Sequence, residues 1–260
     1  MRLLKIGITL FKINGIRWTF LYVLYWFTRY FLKTDSTGLY KLLILFEEKH
    51  NLPGFNSPAT ASALWDLLPW EKEGGEEWTI SEEWKKALID DVLLENIKPG
   101  TAVLEIGPGA GRWTETLQRT ARKLIAVDVS SKAIELCRKR FSSATNTTFF
   151  LTRTPALEFI PDQTIDAIWS YDVFVHINPD DTDCYLSEFK RVLVPGGIAV
   201  IHHPKSGGHN GGCRSRMTAQ RFSSLLEKNG LTLDRQFDSW GENGRFDLTR
   251  HGDCISVFHS

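Results

Sequence analysis

From residue 101 onward, short apolar runs alternate with segments whose apolar residues recur every three or four positions, the pattern of strands interleaved with helices. Strands are predicted at residues 102–106 (AVLEI), 124–127 (LIAV), 148–151, 165–169 (IDAIW) and 197–202 (GIAVIH). Helices are predicted at 113–122, 131–141, 180–192 and 218–229, the last closed by Gly230. Such alternation implies an α/β fold, a parallel sheet with helices on both faces. The end of the chain breaks the pattern. Residues 232–237 and 254–258 alternate or run apolar with a glycine-rich connector and no helix between, which predicts a terminal antiparallel hairpin.

Before residue 81 the pattern is different. Residues 13–32 hold Trp18, Phe20, Tyr22, Tyr25, Trp26, Phe27, Tyr30 and Phe31. Only the eleven positions 18–28, between Arg17 and Arg29, form an uncharged run, short of the roughly 20 residues that a spanning helix needs. Two other readings stand beside a span. One is a helix at the headgroup boundary of a membrane, with its cations reaching anionic lipid. The other is a helix that packs on the main domain, covers its substrate mouth or forms a dimer contact. Residues 34–38 (TDSTG) form a break, 39–46 a second apolar stretch, and 51–58 (NLPGFNSP) a run of turn formers. Ser81, followed by Glu82 and Glu83, suits a helix start; Trp84, Leu88 and Val92 then share one face, and Lys98-Pro99-Gly100 ends the helix. The chain is thus expected to divide into a helical extension, residues 1–80, and an α/β domain, residues 81–260.

With 260 residues, 42% apolar and 24% charged, the chain can bury a core without disulfides or metal, which excludes a disordered or polytopic membrane protein. Lys and Arg number 31, as do Asp and Glu, so no overall field favours nucleic acid. The balance is local in origin: residues 1–46 carry seven Lys or Arg against Asp35, a net +6 that leaves −6 for the rest. Cys137, Cys184, Cys213 and Cys254 are dispersed with no CxxC pair, and no signal peptide is evident. A reducing, cytoplasmic setting is expected, at the inner face of a membrane if the basic extension touches lipid.

The segment from Val103 to Gly111, VLEIGPGAG, carries a strand into a GxGxG turn and then a helix. Without a Cβ, glycine takes positive φ and lets a ligand press against the backbone, while the helix start offers unpaired N–H groups. A purely structural tight turn would use the same glycines, but the strand–turn–helix context favours a nucleotide-like cofactor. A dinucleotide site places its third glycine three positions after the second; Gly111 follows Gly109 by two, which disfavours pyrophosphate. Asp128 ends the next strand, where a carboxylate can accept two hydrogen bonds from ribose hydroxyls. Helix capping is its alternative role, one that Ser130 can fill instead.

These pieces, together with IDAIWSYDVFVHI from residue 165 and RVLVPGGIAVI from residue 191, resemble the class I S-adenosylmethionine-dependent methyltransferases over residues 98–260. The resemblance implies a Rossmann-like seven-stranded sheet with a reversed last hairpin, and S-adenosyl-L-methionine as cofactor. It implies that Glu105, Gly107, Pro108, Gly109 and Gly111 line the methionine side, that Asp128 and Val129 hold the ribose, and that Thr154 meets the adenine. Ser170, Tyr171 and Asp172 would lie under the sulfonium. Thr154 departs from the family, which has an acidic residue at that place.

Open α/β sheets bind ligands at the carboxyl ends of their strands, so acceptor residues are expected in 170–176 and 202–205. Methyl transfer from a sulfonium is an in-line displacement that needs alignment and exclusion of water. An alcohol acceptor also loses a proton, and His176, His202 and Asp172 are the candidates to take it, although each is equally explicable as a hydrogen-bonded structural group. The loop 202–216 (HHPKSGGHNGGCRSR) suits an acceptor bearing a phosphate or carboxylate, through Lys205, Arg214 and Arg216, or is a plain surface loop. His202, His203, His209 and Cys213 match no standard zinc spacing, and no metal is expected. The expected activity is methyl transfer to a small-molecule or a lipid- or glycan-linked acceptor, at oxygen. A nucleic-acid methyltransferase is disfavoured by the neutral charge and by SYDVF where an NPPY-like sequence would stand. A non-catalytic cofactor-binding module at a membrane surface and a nicotinamide dehydrogenase are the remaining alternatives, distinguishable by binding of S-adenosylmethionine or NADH. The oligomeric state is not legible in the sequence.

Overall fold

A computed structural model describes residues 2–33, 36–207 and 213–260. The strands are β1 Ala102–Ile106, β2 Lys123–Asp128, β3 Thr147–Leu151, β4 Ile165–Ser170, β5 Leu193–Pro204, β6 Thr232–Phe237, β7 Ser239–Trp240, β8 Phe246–Asp247 and β9 Asp253–His259. Seven of them form one sheet in the order β3-β2-β1-β4-β5-β9-β6. The first five pair in parallel, and β9 runs antiparallel to both β5 and β6. The expected hairpin is therefore present. Its connector is more structured than the sequence implied, because β7 and β8 pair as a separate ribbon that buries Trp240 against the core.

Both faces of the sheet are covered, as its continuously apolar strands require. Leu104, Ile106, Ile125 and Ile168 meet α9 (Pro179–Val192) and α10 (Ala219–Lys228) through Leu186, Phe189, Phe222 and Leu226. On the other face Val103, Leu124, Trp169 and Val200 meet Trp84, Leu88 and Leu117 of α5 (Glu82–Leu88) and α7 (Thr114–Thr120). Ser81 Oγ accepts the Trp84 N–H at the start of α5, which continues through a π-helical turn, Ile89–Leu93, to α6 (Leu94–Asn96). Ser130 Oγ accepts the Ala133 N–H at the start of α8 (Ser131–Arg140). A serine thus caps that helix and leaves Asp128 free for other work.

The N-terminal region is built on different lines. Helix α1 (Arg2–Tyr30) breaks at Gly15, whose φ of +80° a side chain would resist, and α2 (Thr37–His50), α3 (Pro58–Trp65) and α4 (Trp70–Glu73) follow. Thr34 and Asp35 of the expected break lie outside the described residues. Trp18, Leu43 and Leu10 form a small core around buried polar contacts. Trp18 Nε1 donates to Glu47 Oε1 at 2.7 Å, and the Phe55 N–H donates to the same oxygen at 2.8 Å. Asn14 bridges Thr60 Oγ1 and the Gly54 N–H. No described helix is long and apolar enough to cross a membrane, so the spanning option for residues 13–32 has no support.

Candidate functional site

The carboxyl ends of β1, β2, β4 and β5 open into a cavity of about 1210 Å³ whose opposite wall comes from α1, α3 and α4. At one end lies the glycine turn. Gly107, Gly109 and Gly111 have φ of +73°, +57° and +99°. A Cβ on Gly107 would fall 2.3 Å from Val173 Cγ2, so only glycine lets this turn approach the loop after β4. Gly107, Pro108, Gly109, Asp128, Val129 and Thr154 all line the cavity. Glu105 and Gly111 stand behind its wall: Gly111 packs against Phe141, and Glu105 is buried in β1.

Asp128 clasps the turn to its own strand end. Its Oδ2 accepts the Gly109 N–H at 3.1 Å and its Oδ1 accepts the Ser130 N–H at 2.8 Å. Burial pushes its carboxyl up to about 6, with those backbone donors opposing the rise. Glu105 Oε2 accepts the Thr114 hydroxyl at 2.7 Å, whereas Oε1 is buried with no hydrogen-bond partner among the described residues. Burial raises the Glu105 carboxyl to about 8.

The other end holds a chain of charges, Arg112–Asp172–His202–Asp253–Arg214. Arg112, buried, donates to Asp172 Oδ2 and to the Gly75 carbonyl, and Arg214 donates to Asp253 Oδ2 at 2.7 Å. His202 lies between the two carboxylates, its Nδ1 accepting the Asp172 backbone N–H at 3.1 Å and its Nε2 lying 3.5 Å from Asp253 Oδ2. Burial opposes charge on this imidazole, but Asp172 and Asp253 outweigh it and raise its pKa. Tyr171 stacks on the ring at 4.3 Å. With its Nδ1 lone pair accepting the Asp172 N–H, the neutral ring carries its proton on Nε2, which is buried near Asp253 with no hydrogen-bond partner among the described residues, so His202 has no lone pair for an acceptor proton. Asp172 fares similarly: burial opposes ionisation, yet His202 and Arg112 hold its carboxyl far below the usual range, so it stays an ionised partner of those two groups. Its φ of +62° marks strained backbone at the strand end.

His176 is arranged differently. Its Nδ1 lies 2.9 Å from the Cys213 carbonyl, which can only accept, so the proton sits on Nδ1 and Nε2 keeps its lone pair. The half-buried ring lines the cavity beside Trp65, at 5.3 Å between ring centroids. Burial, reinforced by the Arg214 charge, lowers its pKa to about 4 and keeps it neutral near pH 7.

The sequence-predicted residues therefore separate. His176, His202, Asp172 and Tyr171 converge on the cavity, but Ser170 does not: its hydroxyl is buried and donates to the Ile106 carbonyl at 3.0 Å. Of the loop cations, Arg214 reaches the cavity, whereas Lys205 pairs with Asp238 and Arg216 with Glu48. His209 of the histidine-rich loop lies outside the described residues, and those described include no cluster suited to a metal ion. Sequence reasoning missed Arg112, Asp253 and the tryptophans Trp65, Trp70 and Trp78, which pack on one another along the cavity wall. Trp70 covers Gly109 so closely that a Cβ there would lie 3.0 Å from its ring. Asp66 was missed too; it accepts from Ser130 Oγ, Ser131 Oγ and the Lys132 N–H at the start of α8 and ties the helical region to the cofactor end. No spacing rule finds Arg112, Asp253 and Asp66, because their partners are 30 or more positions away.

Residues 103–197 match the model of a methyltransferase domain. A demethylmenaquinone methyltransferase of Tropheryma whipplei is 32% identical over 125 residues, 47% of this chain and 49% of the relative. A putative O-methyltransferase of Mycobacterium tuberculosis is 32% identical over 127 residues, 46% of this chain and 54% of the relative. The chain spans about half the length of the curated relatives it matches. Among solved structures, the N-methyltransferase NodS from Bradyrhizobium japonicum in complex with S-adenosyl-L-homocysteine superposes with a TM-score of 0.56 at 18% identity, covering 72% of this chain and 92% of that one. Residues 103–197 thus match a methyltransferase domain, and the strand order and the glycine turn facing a strand-end carboxylate are those expected of the class I S-adenosylmethionine-dependent methyltransferases that the chain resembles.

Proposed function

We propose that this chain transfers the methyl group of S-adenosylmethionine to an oxygen of a small-molecule or lipid- or glycan-linked acceptor. One observation carries the proposal: a single cavity joins the glycine turn and Asp128 to a neutral histidine with an unengaged Nε2. The residues fit the cofactor. Asp128 is a carboxylate at the strand end with lone pairs left for ribose hydroxyls, and the orphaned Glu105 Oε1 is a buried acceptor for the cofactor ammonium, directly or through a water. Bound there, the cofactor supplies an electrophilic methyl group on a sulfonium. Gly107, Pro108 and Gly109 shape the methionine side, Val129 and Thr154 flank the nucleoside, and the tryptophan wall excludes water. In this scheme His176 takes the acceptor's hydroxyl proton at Nε2, while Arg112, Asp172 and His202 hold the loop after β4 in place.

The reading of oxygen draws on the name of the mycobacterial relative, and the lipid-linked reading on the apolar wall. It sets the enzyme in the cytoplasm, at the inner face of a membrane through residues 1–46. The test is to incubate the chain with methyl-labelled S-adenosylmethionine and separate pools of lipid, glycan, small metabolites and RNA. Label in a lipid, glycan or small-molecule hydroxyl supports the proposal; label only in RNA, or cofactor binding without transfer to any pool, overturns it.

A further inference from the structure

Helix α1 carries apolar residues on two opposite sides, and only one of these is covered. Trp18 and Tyr25 are buried toward α2 and the catalytic domain, where Tyr25 meets Cys213. Ile16, Phe20, Val23, Phe27 and Phe31 recur at three- and four-residue spacing and so share the opposite face. Ile16, Phe20 and Phe31 are 67%, 68% and 65% exposed. Isolated exposed apolar residues are ordinary on any protein, but a contiguous stripe of this length is an interaction surface. Leu42 and Leu45 of α2 are also exposed. Lys12 and Arg17 of α1, Lys33 just after it and Lys41 of α2 are exposed as well.

We infer that the outer face of α1 docks on an anionic lipid surface and holds the cavity mouth against it. Charge selects this occupant. Residues 1–46 carry a net +6, which anionic headgroups attract. A second copy of the chain, seated face to face, would set the same basic segment against itself. An apolar helix face with cations beside it lies in the plane of the interface, its rings in the acyl boundary and its charges among the headgroups. Val23 belongs both to the exposed stripe and to the cavity lining, and Trp26 and Arg29 line the cavity next to it. The docked face therefore borders the mouth, and an amphiphilic acceptor passes from lipid into the cavity without crossing water; this last step rests on the methyltransferase reading.

The test is co-sedimentation of the full chain with vesicles of phosphatidylcholine alone or containing phosphatidylglycerol. Binding is expected with phosphatidylglycerol and should weaken as salt rises. Phe20→Ser with Phe27→Ser should lower the partition coefficient about a hundredfold. Arg17→Glu with Lys41→Glu should abolish the preference for phosphatidylglycerol while leaving the apolar face intact. Vesicles should also slow amide exchange in residues 16–31 and not at the opposite end of the sheet from the cavity, residues 98–102 at the start of β1. Calorimetry with S-adenosylmethionine on each variant separates the two questions: lost vesicle binding with retained cofactor binding is the docking face at work, whereas wild-type chain that binds vesicles but no cofactor sinks the enzyme reading alone. Wild-type chain that ignores phosphatidylglycerol vesicles overturns the inference, as does a solution dimer that Phe20→Ser with Phe27→Ser dissociates in place of any lipid binding.

Discussion

The sheet and the N-terminal helices meet across one cavity but are stabilised in opposite ways. The sheet buries apolar strands on both faces and gathers Asp128, Asp172 and His202 at its carboxyl ends. The helices have a small apolar core, a buried carboxyl at Glu47 that accepts from Trp18 and Phe55, and an outer face left apolar. Glu47 is held with a raised pKa by burial, against those two donors. The difference implies a division of labour: the sheet end supplies chemistry, and the helices supply enclosure and access. Substitutions on the two sides should therefore separate into effects on turnover and effects on binding.

The largest effect is expected at His176. His176→Ala should lower turnover on the acceptor pool that takes label by about 10²–10⁴-fold with an unchanged cofactor dissociation constant, measured by calorimetry. An unaffected turnover would remove proton transfer from the sheet side. Next, if Asp128 holds the ribose as proposed, Asp128→Ala should weaken cofactor binding by about a hundredfold through the loss of two charge-assisted hydrogen bonds. Its pH dependence follows from a carboxyl raised to about 6 by burial: hydroxyl donors favour the ionised form, so cofactor affinity should fall as pH drops through about 6. Affinity that is flat from pH 5 to 8, values chosen as roughly a unit or more either side of that midpoint, would contradict the ribose role.

On the helical side the effects should be smaller and of another kind. Asp66→Ala removes the acceptor for Ser130, Ser131 and Lys132 and should raise the cofactor off-rate about tenfold, leaving single-turnover methyl transfer unchanged. A change confined to the chemical step would erase the division of labour. The smallest effect concerns Glu105. Its carboxyl is raised by burial to about 8 in the folded chain, above the ordinary 4.5, so the stability it allows at low pH is lost as pH rises between those values. Glu105→Gln should melt a few degrees above wild type near pH 9 and converge with it near pH 5, roughly ΔΔG over ΔS at the midpoint. Coincident melting curves at both pH values would mean that Glu105 is already neutralised by a partner.

Much of the sheet was legible because its strands are short, apolar and punctuated by glycine. Ser130 and Ser81 announced the helix starts that they cap. The β7–β8 ribbon was not legible, since two-residue strands have no periodicity, and Trp240 reads the same whether exposed or buried. Within the site, Asp128 and the glycines stood out through spacing, while Ser170, expected at the cofactor, turned out to satisfy a backbone carbonyl. Histidine type alone could not separate His176 from His202. One has a carbonyl on Nδ1, which leaves the lone pair on Nε2; the other spends its Nδ1 lone pair on the Asp172 backbone N–H and turns a protonated Nε2 toward Asp253.

What the sequence determined by itself is local: which segments become strand or helix, where the backbone must take positive φ, and which strand end bears a carboxylate. These follow from periodicity and from the steric freedom of glycine, both of which act within a few residues. Only the tertiary structure decided that Trp70 closes over the glycine turn, that Asp66 ties the helical region to the start of α8, that Arg112 and Arg214 neutralise the carboxylates beside His202, and that His176 keeps a lone pair. A proton's location and a cavity's wall depend on groups brought together from distant parts of the chain, and burial sets the energy of each charge once they meet.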